Sequence, residues 1–172
     1  MKNSTFIING PATSGKDTFV DIVNEILSDY DIDSHKISSV EMVKSAALLL
    51  GWDNVKDIKG REFLHKLKML SSDYYEGSFN FMIRRRTETN SNTPMFFMIR
   101  EPEEIEKFKV ATNAITILIT RDNIESYDNY ADTNTHKYDY DIVIENNGTK
   151  KDLYDIATNF VLGYIFYERI YI

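Results

Sequence analysis

Gly10-Pro11-Ala12-Thr13-Ser14-Gly15-Lys16-Asp17-Thr18 decides how this chain folds. Gly10 to Lys16 fit the pattern G-x-x-x-x-G-K. Two glycines at this spacing allow a sharp turn that points successive backbone N–H groups into one cavity. A helix starting directly after the turn adds its positive end at the same place. Lys16 supplies a mobile cation for the outer phosphates of a bound nucleotide. The flanks agree with this reading. Thr5–Asn9 is a short apolar run, expected as a buried strand. Lys16–Ser28 carries Phe19, Val20, Val23, Ile26 and Leu27 at helical period.

Outward from the loop, strand and helix patterns alternate. Ser34–Ile37 reads as a weak second strand, and Glu41–Leu50 as a helix stopped by Gly51. Arg61–Tyr75 and Phe79–Arg86 read as two helices of an insert. Met95–Ile99 is a continuous apolar run, typical of a strand covered on both faces. Pro102–Thr112 reads as a helix with Pro102 in its first turn. Ala114–Thr120 and Ile142–Ile144 read as strands, with the polar stretch Asp122–Lys137 between them. Asn147-Gly148 marks a turn, and Lys150–Phe166 a closing helix with a stripe of Leu153, Ile156, Ala157, Phe160 and Val161. Such alternation implies an α/β fold with a parallel sheet and helices on both faces.

Composition narrows the function classes. The chain has 172 residues, 42% of them hydrophobic, which suits one globular domain. The net charge of -7 argues against nucleic acid as a partner, since that needs a cationic face. Arg84-Arg85-Arg86 is the one basic cluster and reads as a solvated helix face. There is no cysteine, and His35, His65 and His136 have no zinc-type spacing. No apolar run is long enough for a signal peptide or a membrane span. A cytoplasmic protein with no membrane partner is expected, and a homo-oligomer is left open.

Asp17 stands where Ser or Thr usually ligates magnesium. A carboxylate beside phosphates is repulsive unless a divalent cation lies between them. Asp17 therefore either reaches Mg²⁺, directly or through water, or turns away toward the helix N-terminus. Thr18 can donate its hydroxyl to an inner phosphate. Arg100 and Arg121 both follow buried strands, at the carboxyl edge where open α/β sheets bind ligands. Arg100 could equally pair with Glu104. Asp57-Ile58-Lys59-Gly60 spells D-x-x-G, but with no strand before it and no N-K-x-D it does not make a guanine-nucleotide switch.

Ser14-Gly15-Lys16-Asp17-Thr18 resembles the phosphate loop of the bacteriophage deoxynucleoside monophosphate kinases, and phosphomevalonate kinase of the animal type carries a similar S-G-K-D. Later segments favour the phage family. Arg61-Glu62-Phe63-Leu64-His65-Lys66-Leu67 resembles its R-x-x-L-Q-x-L helix, with His65 at the glutamine. Ile99-Arg100 with Glu104 resembles its D-x-R-x-x-x-E, and Ile119-Thr120-Arg121 its V-x-R. Asp141 to Thr149 resembles its D-x-V-I-x-N-D-G-S/T. The resemblance runs in order from Ser4 to Val161.

It implies a single three-layer P-loop kinase domain over 1–172, with a five-stranded parallel sheet in the order 2-3-1-4-5. The helical insert would span about 40–90 and a lid about 122–138. It implies ATP and Mg²⁺, with phosphate passing to a deoxynucleoside monophosphate. Gly10, Thr13, Ser14, Gly15, Lys16, Asp17 and Thr18 would hold ATP. Lys16, Arg100 and Arg121 would serve catalysis. Ser38, Lys44, Arg61 and Arg100 would hold the acceptor, although Ser38 and Ser39 also suit helix capping. Tyr74, Tyr75 and Phe79 read as core or as a base-stacking group. Met98 takes the place of the family's acidic residue, and the 122–137 stretch holds a single Lys or Arg, Lys137. Both departures leave open a nucleotide-binding protein without turnover. A kinase of another small phosphorylated metabolite is the remaining alternative.

Overall fold

The computed structural model describes residues 4–122 and 135–166. Its centre is a five-stranded, wholly parallel sheet in the order β2-β3-β1-β4-β5. The strands are β1 (Thr5–Asn9), β2 (His35–Ser38), β3 (Met95–Met98), β4 (Ile115–Thr120) and β5 (Ile142–Glu145). β1 lies in the middle, paired through Ile8↔Met98 on one side and Asn9↔Leu118 on the other. Its residues are buried on both faces, which is why it reads as an unbroken apolar run.

Alternate side chains of the strands feed two cores. Phe6, Ile8, Phe96, Ile117, Ile119 and Ile144 face α1 (Lys16–Ser28) and the closing helix. Ile7, Ile37, Met95, Phe97 and Ile99 face the other way, toward helices carrying Met82, Ile105 and Phe108. These helices are α4 (Gly77–Glu88) and α5 (Pro102–Thr112); with α2 (Glu41–Leu49) and α3 (Ile58–Tyr75), α4 forms the insert between β2 and β3. The result is helix, sheet and helix in three layers.

The insert departs from the expected boundaries. α3 begins at Ile58, a turn before Arg61, because Asp57 caps it: Asp57 Oδ1 accepts the Gly60 N–H at 2.7 Å. The D-x-x-G string is therefore a helix cap. Gly60 is required there, since a Cβ would lie 2.1 Å from the Val55 carbonyl oxygen. α4 is also longer than Phe79–Arg86 at both ends. The Arg84–Arg86 cluster is no simple solvated face. Arg84 is exposed, but the Arg86 guanidinium donates to Ser4 Oγ, Thr5 Oγ1 and the Ser91 carbonyl. It ties the end of α4 to the start of β1.

The closing helix differs too. α6 (Lys150–Phe160) passes into a wider π-helical turn over Val161–Phe166. That turn contains Gly163, the poorest helix former after proline, and keeps Phe160, Val161 and Ile165 all buried.

Candidate functional site

Because every strand is parallel, all five carboxyl ends lie along one edge, where ligands bind in open α/β sheets. Gly10 follows β1, Ser38 ends β2, Arg100 lies just past β3, Arg121 directly follows β4, and Asn146 follows β5. The topology thus brings most of the sequence-predicted residues to one edge.

The loop from Gly10 to Lys16 is tightly built. Gly10 and Gly15 have φ of 154° and 94°, left-handed values that favour glycine. A Cβ on Gly10 would sit 2.2 Å from the Ile119 carbonyl oxygen, and one on Gly15 would sit 2.2 Å from Asn146 Nδ2. Thr13 also has a positive φ, 62°. Ser14 is fully buried, and its hydroxyl has no hydrogen-bond partner among the described residues. Lys16 is only 7% exposed, with its ammonium donating to the Pro11 carbonyl at 2.8 Å. Asn146 locks the turn from across the sheet edge, donating from Nδ2 to the Ser14 carbonyl at 2.9 Å. Gly15 caps α1 without any side-chain bond, so the first N–H groups of α1 are not used by a capping side chain.

This is a three-layer α/β fold with a five-stranded parallel sheet in the order 2-3-1-4-5. No protein-family model matches the chain, and no curated protein does. Among solved structures it is similar to a cysteine-to-alanine mutant of the Mycobacterium tuberculosis APS kinase CysC, at 10% identity and a TM-score of 0.47. That likeness covers 94% of this chain and 98% of the other. The same APS kinase in complex with AMPPNP and APS is similar at 9% identity, with the same TM-score and coverage. At these values the likeness decides nothing about activity; the fold rests on the strand order and the loop.

Around the P-loop the cations are arranged unevenly. Asp17 lies in the first turn of α1 and is exposed, with Oδ1 3.7 Å from Lys36 Nζ on β2. Lys36 itself binds Asp21 Oδ1 at 2.6 Å. Thr18 is exposed on the same helix. Lys44 on α2 is half-buried. Burial lowers its pKa from the ordinary lysine value; the positive charges of Lys56 and Arg100 push the same way, and Asp17 and Glu41 oppose them. Lys44, Lys56, Arg100 and Asp17 therefore share one electrostatic neighbourhood. Lys56 lies in the α2–α3 loop and carries no sequence signal that would have singled it out.

Arg61 is exposed in the first turn of α3 and donates from Nε to the Lys56 carbonyl at 2.8 Å. Ser38 serves as a turn residue, its Oγ accepting the Val40 N–H at 3.4 Å. Ser39 is buried and donates its N–H to the Met98 carbonyl. Glu104, the alternative partner for Arg100, takes Lys68 at 2.8 Å. Met98 is partly buried against the α1-side core. Neither reading of the insert tyrosines as core holds: Tyr74 is 85% exposed and Tyr75 is 49% exposed. Phe79 differs, packing edge-on against Phe108 with the Lys107 ammonium over its ring.

Arg121 is exposed at the end of β4. The next residue is pinned: the Asp122 N–H donates to Asn147 Oδ1 at 2.7 Å, and Asn147 Nδ2 donates to Asp122 Oδ2 at 2.8 Å. The expected lid falls mainly on 123–134, outside the described residues. The Asp141–Thr149 segment supplied several of the residues that sequence reasoning missed. Asp141 Oδ2 accepts from both the N–H and the hydroxyl of Thr116 at 2.8 Å, joining the start of β5 to β4. Thr149 and Asp152 form a reciprocal capping box on α6. The family resemblance flagged this segment without giving any of these roles.

Proposed function

We propose that the chain is an ATP-dependent phosphotransferase acting on a nucleoside monophosphate, with a deoxynucleotide as the favoured acceptor. The phosphate loop carries this reading: two left-handed glycines, a buried lysine and a helix N-terminus converge on one point. Phosphoryl transfer asks for charge neutralisation and alignment, with no protein nucleophile. Lys16 would bind the outer phosphates of ATP, with the Ser14 hydroxyl and the loop N–H groups beside it. Thr18 would reach an inner phosphate. Lys44, Arg61 and Arg100 would bind the acceptor's phosphate. Arg121 would meet charge developing between donor and acceptor, bidentately and with a permanent charge.

Mg²⁺ fits this site. It binds through one or two carboxylates, water and substrate phosphates, so it does not need a protein cage. Among the described residues no group of three acidic, histidine or cysteine side chains forms such a cage. Asp17, exposed beside the loop, is the carboxylate that would hold it, through water. When bound, the ion would neutralise phosphate charge; Asp17 would orient its waters, and Lys16 would remain the direct protein contact.

The ordered resemblance to the phage deoxynucleoside monophosphate kinases supports the acceptor class. Met98, in the place of that family's acidic residue, favours a second reading, a nucleotide-binding protein without turnover. Among the described residues no helix is long and apolar enough to cross a membrane. A coupled ADP-release assay across the common nucleoside and deoxynucleoside monophosphates tests the proposal. ADP release dependent on one or a few monophosphates is expected. ATP binding with no turnover on any of them would leave the binding-only reading.

A further inference from the structure

Asn9 closes β1 and is 0% exposed. Its side chain makes three hydrogen bonds toward three parts of the site. The Gly10 N–H donates to Oδ1 at 2.8 Å. Nδ2 donates to the Arg100 carbonyl at 3.1 Å and to the Tyr140 hydroxyl at 2.7 Å. The partners dictate the amide's orientation, because a backbone N–H must meet oxygen and a backbone carbonyl must meet a donor. Few side chains could replace it. An ionised Asp accepts at both ends, and Leu does neither. Tyr140 is half-buried; burial raises its pKa and the bond from Asn9 opposes that, so the phenol stays neutral near pH 7.

We propose that Asn9 is a positioning residue for the acceptor side of the site: it fixes the Arg100 main chain, and Tyr140 with it, relative to the first N–H of the phosphate loop. The inference rests on the phosphotransferase reading above. Arg100 and Gly10 lie at the ends of adjacent parallel strands, and the pairing of β1 with β3 ends at Ile8↔Met98. Beyond that pair the ladder no longer sets the spacing between the two chains. The Asn9 amide takes over that role for one further step, just where donor and acceptor phosphates would meet. A buried polar group with all its partners satisfied specifies geometry closely, because any shift strands a donor or acceptor away from water. Tyr140 holds the third direction and keeps Nδ2 from being drawn wholly toward Arg100.

The test uses the full chain and the substrates found active with it. Asn9→Asp keeps the acceptor for the Gly10 N–H and, when ionised, loses the bond to the Arg100 carbonyl, while the Tyr140 hydroxyl can turn to donate to the carboxylate. Misplacing a substrate-orienting group by about 1 Å costs about 10²-fold in rate. The variant should therefore lose about 10²-fold in kcat/KM for the monophosphate, well beyond the smaller loss in ATP affinity that a new carboxylate beside the phosphate loop brings. As pH falls, the buried carboxyl takes up a proton and regains one donor, so the defect relative to wild type should shrink. Tyr140→Phe removes one hydrogen bond only and should lower the same parameter by about threefold to tenfold. Equal losses in ATP affinity and acceptor kcat/KM, or no loss at all, would overturn the inference. If Asn9→Asp does not fold, Tyr140→Phe decides by the same criterion. A wild-type chain that turns over no monophosphate sinks the functional reading and this inference together; an active wild type with an unaffected variant sinks this inference alone.

Discussion

The phosphate loop and the cations beside it, Lys44 and Arg61 on the insert and Arg100 after β3, hold their charge in opposite ways. Lys16 is 7% exposed, Ser14 is fully buried, and the turn between them is clamped by Asn146 and by left-handed glycines. Across the sheet edge Arg61 and Arg100 are exposed, and only Lys44 is half-buried. The first region is built from backbone, so its geometry exists before any ligand arrives. The second is built from long cationic side chains, which lose rotamer freedom when they close on an anion. Donor binding should therefore depend on shape and acceptor binding on charge.

The sharpest way to break this contrast is Lys16→Ala. Its side chain folds onto the Pro11 carbonyl, away from both cores, and on the proposed reading would meet the phosphates. Phosphotransfer should fall by about 10³-fold or more with little change in Tm, read by ADP release and thermal denaturation. Near-normal activity would mean the loop is not the donor site.

Arg121→Ala comes next. A contact that strengthens toward the transition state contributes roughly 3–4 kcal/mol, or about 10²–10³ in rate. kcat should fall by that factor with ATP affinity changing far less, and Arg121→Lys should recover part of it. A loss of stability alone would make Arg121 structural.

Asn146→Ala probes the clamp. It leaves the buried Ser14 carbonyl without its side-chain donor, at a cost of about 1–3 kcal/mol in stability. ATP affinity should fall while the KM for the acceptor holds. Equal loss of both would show that the two regions are not separable.

The smallest effect is expected from Asp17→Asn. Its carboxylate is exposed and shared with Lys36, so binding of ATP without metal should hardly change. The Mg²⁺ concentration for half-maximal activity should rise by about tenfold, as for one lost carboxylate contact. An unchanged magnesium titration would return Asp17 to its place in the first turn of α1.

Much of the first region was legible in the sequence, and less of the second. The loop reads directly because Gly10 and Gly15 meet a local requirement, positive φ, that few other residues satisfy. The strands read because a doubly covered strand is a run of apolar residues with no polar alternation. The start of α3 was placed late because its first turn holds Gly60, a poor helix former that here packs against the Val55 carbonyl inside a turn capped by Asp57. The closing helix ran on too far because Val161 and Ile165 continue the apolar stripe through a turn that is no longer α-helical. Tyr74 and Tyr75 have helical spacing, and nothing in that spacing reveals that α3 turns them to solvent. Asn9 and Asn146 were missed for another reason. Each acts on a partner far away in sequence, 91 positions for the Arg100 carbonyl and 132 for the Ser14 carbonyl. An isolated asparagine carries no pattern that announces such a partner.

The central position of β1 has a kinetic consequence. β1 is the first strand made, yet its neighbours β3 and β4 come from much later in the chain, and Asn146 from later still. Contacts between such distant segments form slowly, since the loop-closure entropy must be met first. During synthesis the Gly10–Lys16 segment therefore leaves the ribosome long before it can become a rigid anion cradle. On the proposed reading, affinity for a nucleotide would be a late property of this chain, gained when β5 and Asn146 have docked. A bound nucleotide would then stabilise only the finished protein, by mass action on the folded state.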